Sequence, residues 1–192
     1  MNIINFLQLF FGNYFFRREY SGIKRHVIFN NIDAVNTIGV IFMADSEENF
    51  RLVSRFVLLL KKEGVKEIKI LGFVNDKQKP SFLNPKLGQD FFMKNELAWN
   101  LIPNSTAALN FIHEQFDILI DLSMADIFPL KYILGKSKAH FKAGLGNCGK
   151  DEFLDLMINC QDGDGLEKFS NHLLHYIKQI NKVDGDVLAM LK

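Results

Sequence analysis

The segment Phe116–Leu145, FDILIDLSMADIFPLKYILGKSKAHFKAGL, constrains this chain more than any other. It opens with a short run, Ile118–Leu122, that is apolar on both faces up to Asp121. Only a strand covered on two sides tolerates that pattern. A polar turn follows, then a short helix with Pro129 in its first turn, where a missing N–H costs nothing. A second strand is expected at Ala139–Ala143. Strand, helix, strand at this spacing is one crossover unit of a parallel sheet. It places Asp121, Ser123 and Asp126 at the carboxyl end of a strand, the edge at which open α/β sheets bind ligands.

The same alternation extends upstream from Asn36. Thr37–Met43 (TIGVIFM) reads as a strand. Asp45 or Ser46 can cap the next helix, which Glu47 and Glu48 favour through the positive end of its dipole. Phe50, Val53, Phe56, Val57 and Leu60 recur at the helical period, and Gly64 suits the stop. Lys66–Val74 is the second strand. Its end, Asn75-Asp76, opens a polar loop containing Pro80, Asn84, Pro85 and Gly88. A weak strand is expected at Asp90–Met93 and irregular chain at Asn95–Ile102, with Trp99 near the sheet edge. A helix follows Pro103-Asn104-Ser105, with Leu109, Phe111, Ile112 and Phe116 apolar. Leu154–Asn159 reads as a strand and Leu166–Ile180 as an amphipathic helix.

These elements predict a Rossmann-like, three-layer α/β/α domain over 36–182 with a mostly parallel sheet. Thr37–Met43 and Ile118–Leu122 are its adjacent central strands. An N-terminal helical arm occupies 1–35 and a tail 183–192. A chain of 192 residues suits one domain with a sizeable core.

The arm has an unusual pattern. Asn2, Asn5, Gln8, Gly12 and Asn13 fall on one narrow helical face, and Ile3, Ile4, Phe6, Leu7, Phe10, Phe11, Phe15 and Phe16 cover the rest. Arg17, Arg18, Lys24 and Arg25 follow. Residues 2–16 can lie on a membrane surface, join a second copy in a homo-oligomer, or pack on the chain's own domain. The order, apolar first and basic after, is the reverse of a secretory signal. No segment reaches the ~18 uninterrupted apolar residues of a membrane span.

Nineteen Phe imply an aromatic-rich core or an exposed apolar surface. A net charge of +1 argues against a nucleic-acid partner. Two cysteines, Cys148 and Cys160, imply structural thiols in a reducing cytoplasm rather than a disulfide framework.

The polar residues at the expected strand ends are the candidate ligand-binding set: Asp45, Ser46, Asn75, Asp121, Ser123 and Asp126, with Asp76 beside them. Carboxylates there can do acid–base work or hold a cation, although the same residue types cap helices and form turns. Gly144-Leu145-Gly146-Asn147-Cys148-Gly149 is a literal G-x-G-x-x-G. A dinucleotide site needs that motif in the first strand-to-helix turn. Here it follows a late strand, and DEFLDLMINC after it does not read as a crossover helix, so a surface loop with positive φ angles is expected. The five histidines lack metal spacing, and His172 and His175 are expected as a surface pair. No metal site and no specific cofactor are implied. No nucleophile elbow, P-loop or C-x-x-C is present.

Two resemblances rest on these segments. TIGVIFMADSEENF, ILGFVND, FDILIDLS with FPLKYI, and AHFKAGL together resemble a family of uncharacterised Bacteroidetes proteins. That likeness implies a cytoplasmic α/β domain and no particular site. FGNYFFRREY departs from it, because a basic helix is commoner there. Locally, FDILIDLS followed by LGKSKAHFKAGL is similar to the acceptor half of heptosyltransferase-type glycosyltransferases. It implies the same topology. That likeness implies a second, donor-binding domain for the activity, and none is expected within these 192 residues. The expected function is thus a small binding or interaction module. The alternative is a small-molecule enzyme, or a glycosyltransferase-like remnant, working at the strand ends.

Overall fold

The computed structural model describes residues 3–21, 24–28, 32–83, 88–161 and 163–180. Asn2, Asn84, Pro85 and the tail 183–192 lie outside them. Among these residues, six strands form one parallel sheet: β1 (Thr37–Met43), β2 (Glu67–Val74), β3 (Gln89–Met93), β4 (Ile118–Asp121), β5 (Phe141–Leu145) and β6 (Leu156–Ile158). Their order is β3-β2-β1-β4-β5-β6. Five helices accompany them: α1 (Ile3–Tyr20), α2 (Glu47–Lys62), α3 (Thr106–His113), α4 (Phe128–Lys136) and α5 (Leu166–Gln179). This is the Rossmann-like arrangement expected from the alternation.

The period-2 pattern of the central strands creates two cores. Ile38, Val40 and Phe42 of β1, with Ile118 and Ile120 of β4, face α2 and α5. Ile41 and Leu119 face the opposite layer of α1, α3 and α4. β1 and β4 pair in register, Ile38 with Ile118 through Ile41 with Asp121. The chain turns to opposite sides of the sheet from these two strands, so their carboxyl ends form the topological switch point.

The phenylalanines serve both expected purposes. Phe42, Phe50, Phe82 and Phe91 pack ring against ring in one layer. Phe16, Phe128, Tyr132 and Phe153 cluster in the other. Most of the remaining arm phenylalanines are exposed.

Four expected boundaries move, the first at the arm helix, which runs on to Tyr20 rather than ending at residue 16. The fifth strand is Phe141–Leu145, not Ala139–Ala143. Ser137 ends α4, its hydroxyl accepts from the Ala139 N–H, and His140 N–H bonds Phe116 O before strand pairing begins. The sixth strand keeps only Leu156–Ile158 of the expected Leu154–Asn159, because the Leu154 N–H closes the 3₁₀ turn Asp151–Phe153 by donating to Asp151 O. Phe116 is not on the third helix, which stops at His113; it is buried in the link to β4.

The orientation of α1 is the main departure from simple amphipathic logic. Its narrow polar side turns inward. Gly12 lies against the Asn100 backbone oxygen and the Phe128 ring, where a Cβ has no room. Phe16 is buried between Phe128, Tyr132 and Phe153. Glu19 accepts from Tyr132 Oη at 2.9 Å and pairs with Lys136 at 3.0 Å. Beyond the helix, Arg25 forms a two-pronged pair with Asp155 at 2.6 and 2.7 Å. Arg25 thus anchors the arm and does not belong to an exposed basic flank.

Candidate functional site

A cavity of about 430 Å³ opens at the switch point. Its floor is Met43 at the end of β1 and Phe73 at the end of β2. One wall is the first turn of α4, with Ile127, Phe128 and Pro129. Leu97 and Leu101 from the segment after β3 form another wall, and α1 is the roof. Small-molecule sites are commonly apolar concavities of this size with a few polar groups.

Those polar groups come from four places. The roof contributes Asn5, Gln8 and Asn13, the inward stripe of α1. Asn75 follows β2, Lys94 follows β3, and Asp126 and Lys131 flank the start of α4. Lys131 is mostly buried and pairs with Asp126 at 2.7 Å. Lys94 is exposed and makes no ion pair among the described residues. Two lysines against one carboxylate leave the lining with an excess of positive charge. The α4 N-terminus adds to it, since Ile127 offers no side-chain cap to the first-turn N–H groups.

The six residues expected to bind a ligand divide into three groups. Asn75 and Asp126 line the cavity. Asp45 and Ser46 serve α2: Ser46 Oγ accepts from the Asn49 N–H at 3.1 Å, and Asp45 accepts from the Asn49 amide at 2.7 Å. Asp121 and Ser123 are buried beneath the strand end and are not part of the lining.

A fully buried lysine holds that last pair. Lys150 Nζ donates to Asp121 Oδ2 (2.8 Å), Ser123 Oγ (2.8 Å) and the Ser123 carbonyl (3.0 Å). Ser123 returns its N–H (2.8 Å) and hydroxyl (2.5 Å) to Asp121 Oδ1. Three ammonium protons meet three acceptors, so the charges are compensated where no water reaches.

This pair also explains the glycine run. Asn147 and Gly149 have φ of 55° and 69°. A 3₁₀ turn and β6 follow the run, not a helix, so it lacks the helix N-terminus that a pyrophosphate needs. The turn instead drives Lys150 under β4. Gly149 leaves space for the Asp126 carboxylate, which a Cβ would meet at 2.8 Å. Cys148 sits in this turn with its thiol pushed up, chiefly by burial. That disfavours the thiolate a nucleophile requires.

A second buried lysine, Lys142, lies away from the cavity. Its Nζ donates to Leu134 O (2.5 Å) and Gly135 O (3.3 Å) near the end of α4. Burial lowers its pKa to about 7. Among the described residues no group of His, Cys, Asp and Glu could hold a metal ion. His172 and His175 are both exposed on α5. Both cysteines are free thiols.

A family of unknown function (DUF6913) matches residues 8–180. The chain belongs to this family. No curated protein and no solved structure matches it. The family match spans the cavity roof from Gln8 onward, the sheet and α5. No helix among the described residues is long and apolar enough to cross a membrane.

Proposed function

We propose that this DUF6913 protein is a small-molecule binding module, and that its ligand is an anionic amphiphile seated under α1. The supporting observation is the switch-point cavity with Lys94 and Lys131 set against a mostly apolar wall. An acidic head fits the lysines, the roof amides and the uncapped α4 N-terminus. An acyl or aromatic body fits Leu9, Met43, Phe73, Leu97 and Phe128. The two free thiols suit a cytoplasmic setting.

The enzymatic reading, including a glycosyltransferase-like remnant, has less support. The most buried strand-end acid, Asp121, is engaged by Lys150 and Ser123. Asp126 is the acid left at the cavity, and its partner is Lys131.

A thermal-shift series tests the proposal, with decanoate and indole-3-acetate against decanol and indole as neutral controls. A ligand at about a hundred times its Kd stabilises the native state by about 2.7 kcal/mol. For a chain of this size that raises Tm by roughly 5–10 °C. The acids are expected to act and the neutral controls to act less. Lys94→Gln should weaken the effect without altering the unliganded melt. Equal shifts from acids and neutral controls, or none from either, would reject an anionic ligand.

A further inference from the structure

The outer face of α1 is apolar and largely uncovered by the described residues. Phe6, Leu7, Phe10, Phe11 and Tyr14 are all exposed, between 38% and 57%. A separate segment extends the patch: Trp99 is 61% exposed and its ring stands 5.5 Å from that of Phe11. Trp99 sits in a tight turn in which Ala98 N–H bonds Ile102 O and Leu101 adopts a φ of 64°. An ordered turn with a strained leucine therefore holds an indole outward beside a row of phenylalanines. Exposed apolar area of this kind marks a docking surface.

Charge identifies the occupant. Arg17 continues the line of Phe6 and Phe10, and Arg18 continues that of Leu7 and Phe11, at helical spacing. Both arginines are exposed and unpaired among the described residues. The one acid of α1, Glu19, is already bound by Tyr132 and Lys136. A second copy that packs its α1 on this face supplies no free carboxylate for them. In a parallel pairing arginine meets arginine. In an antiparallel pairing it meets the first turn of α1, which has no acid and carries the positive end of the dipole. An anionic lipid surface supplies the missing charge, takes the phenylalanines below the headgroups, and suits Trp99 and Tyr14 at the interface.

We infer that the outer face of α1, with Trp99, docks on an anionic membrane surface, so that the helix roofing the cavity also seats the protein on lipid. Trp99 is the chain's single tryptophan, so its fluorescence reports the event directly. The full chain is mixed with vesicles of phosphatidylcholine alone, or of phosphatidylcholine with phosphatidylglycerol. Co-sedimentation and a blue shift of Trp99 emission are expected with the mixed vesicles and only weakly with the neutral ones. At about 1 kcal/mol per basic residue near an anionic surface, Arg17→Gln/Arg18→Gln should lower partitioning about thirtyfold. Phe6→Ser/Phe10→Ser should abolish it. The arginine variant alters no buried contact and decides the matter even if the phenylalanine variant loses stability. Absence of binding to mixed vesicles, or equal binding to both, overturns the inference. So does a wild-type dimer that Phe6→Ser/Phe10→Ser converts to monomer, which would assign the face to a second copy.

Discussion

Replacing Lys150 with methionine removes the only cation that the Asp121 carboxylate contacts among the described residues, while keeping most of the side-chain volume. Both partners are fully buried. Asp121 would retain the two Ser123 donors on Oδ1, but Oδ2 would face no donor and no counter-charge. Removing one member of a buried pair costs about 3–5 kcal/mol. For a chain of this length that is a loss of roughly 6–20 °C in Tm. Asp121→Asn should cost a comparable amount, because it leaves Lys150 uncompensated. The double variant should lose much less than the sum of the singles, by at least about 2 kcal/mol, since neither isolated charge then exists. Urea unfolding of the four proteins measures all three quantities. A Lys150→Met protein melting within about 2 °C of wild type would refute this account of the strand end. Strictly additive single variants would do the same.

Three other outcomes follow from separate contacts. Gly12→Val drives a side chain into the Asn100 oxygen and Phe128, so α1 should lose hydrogen-exchange protection while β1 and β4 keep theirs; unchanged protection of α1 would contradict the packing described. Lys142 loses its proton near pH 7 when folded but near 10.5 when unfolded, so the unfolded chain binds more protons across that window and stability should rise with pH through it. Lys142→Met should flatten that rise in ΔG between pH 7 and 10, and an identical slope in both proteins would exclude Lys142 as its source. Leu119→Asp places an unpaired charge at the centre of the sheet and should prevent cooperative folding, which a near wild-type melt would disprove.

The sheet was legible because β1 and β4 are apolar on both faces, a pattern with few alternatives. β5 starts two residues later than its pattern suggests because Ala139 reads as strand interior although its N–H is taken by Ser137 Oγ, while Lys142 lies in both the expected and the observed span. The buried lysine reads as a solvated residue until the end of α4 is seen above it. The candidate site divides along the same line. Asn75 and Asp126 are visible as polar residues at strand ends. The roles of Asp121 and Ser123 depend on Lys150, 29 residues further along in what reads as a loop. Lys131 and Lys94 carry no sequence signal, since lysines near helix starts and strand ends ordinarily point to water. The polar stripe of α1 was plain. Its inward orientation was not, because burial of the apolar side is the ordinary outcome and here close approach at Gly12 and Phe16 overrides it.

Amide chemical-shift mapping is the most direct test of the proposal that a ligand is held at the switch-point cavity. Titration of the labelled protein with decanoate should move the resonances of Asn5, Gln8, Asn13, Asn75, Asp126 and Lys131 together, with one saturation curve. Shifts confined to Gly144–Gly149, or to the outer face of α1 with the cavity residues unmoved, would contradict it.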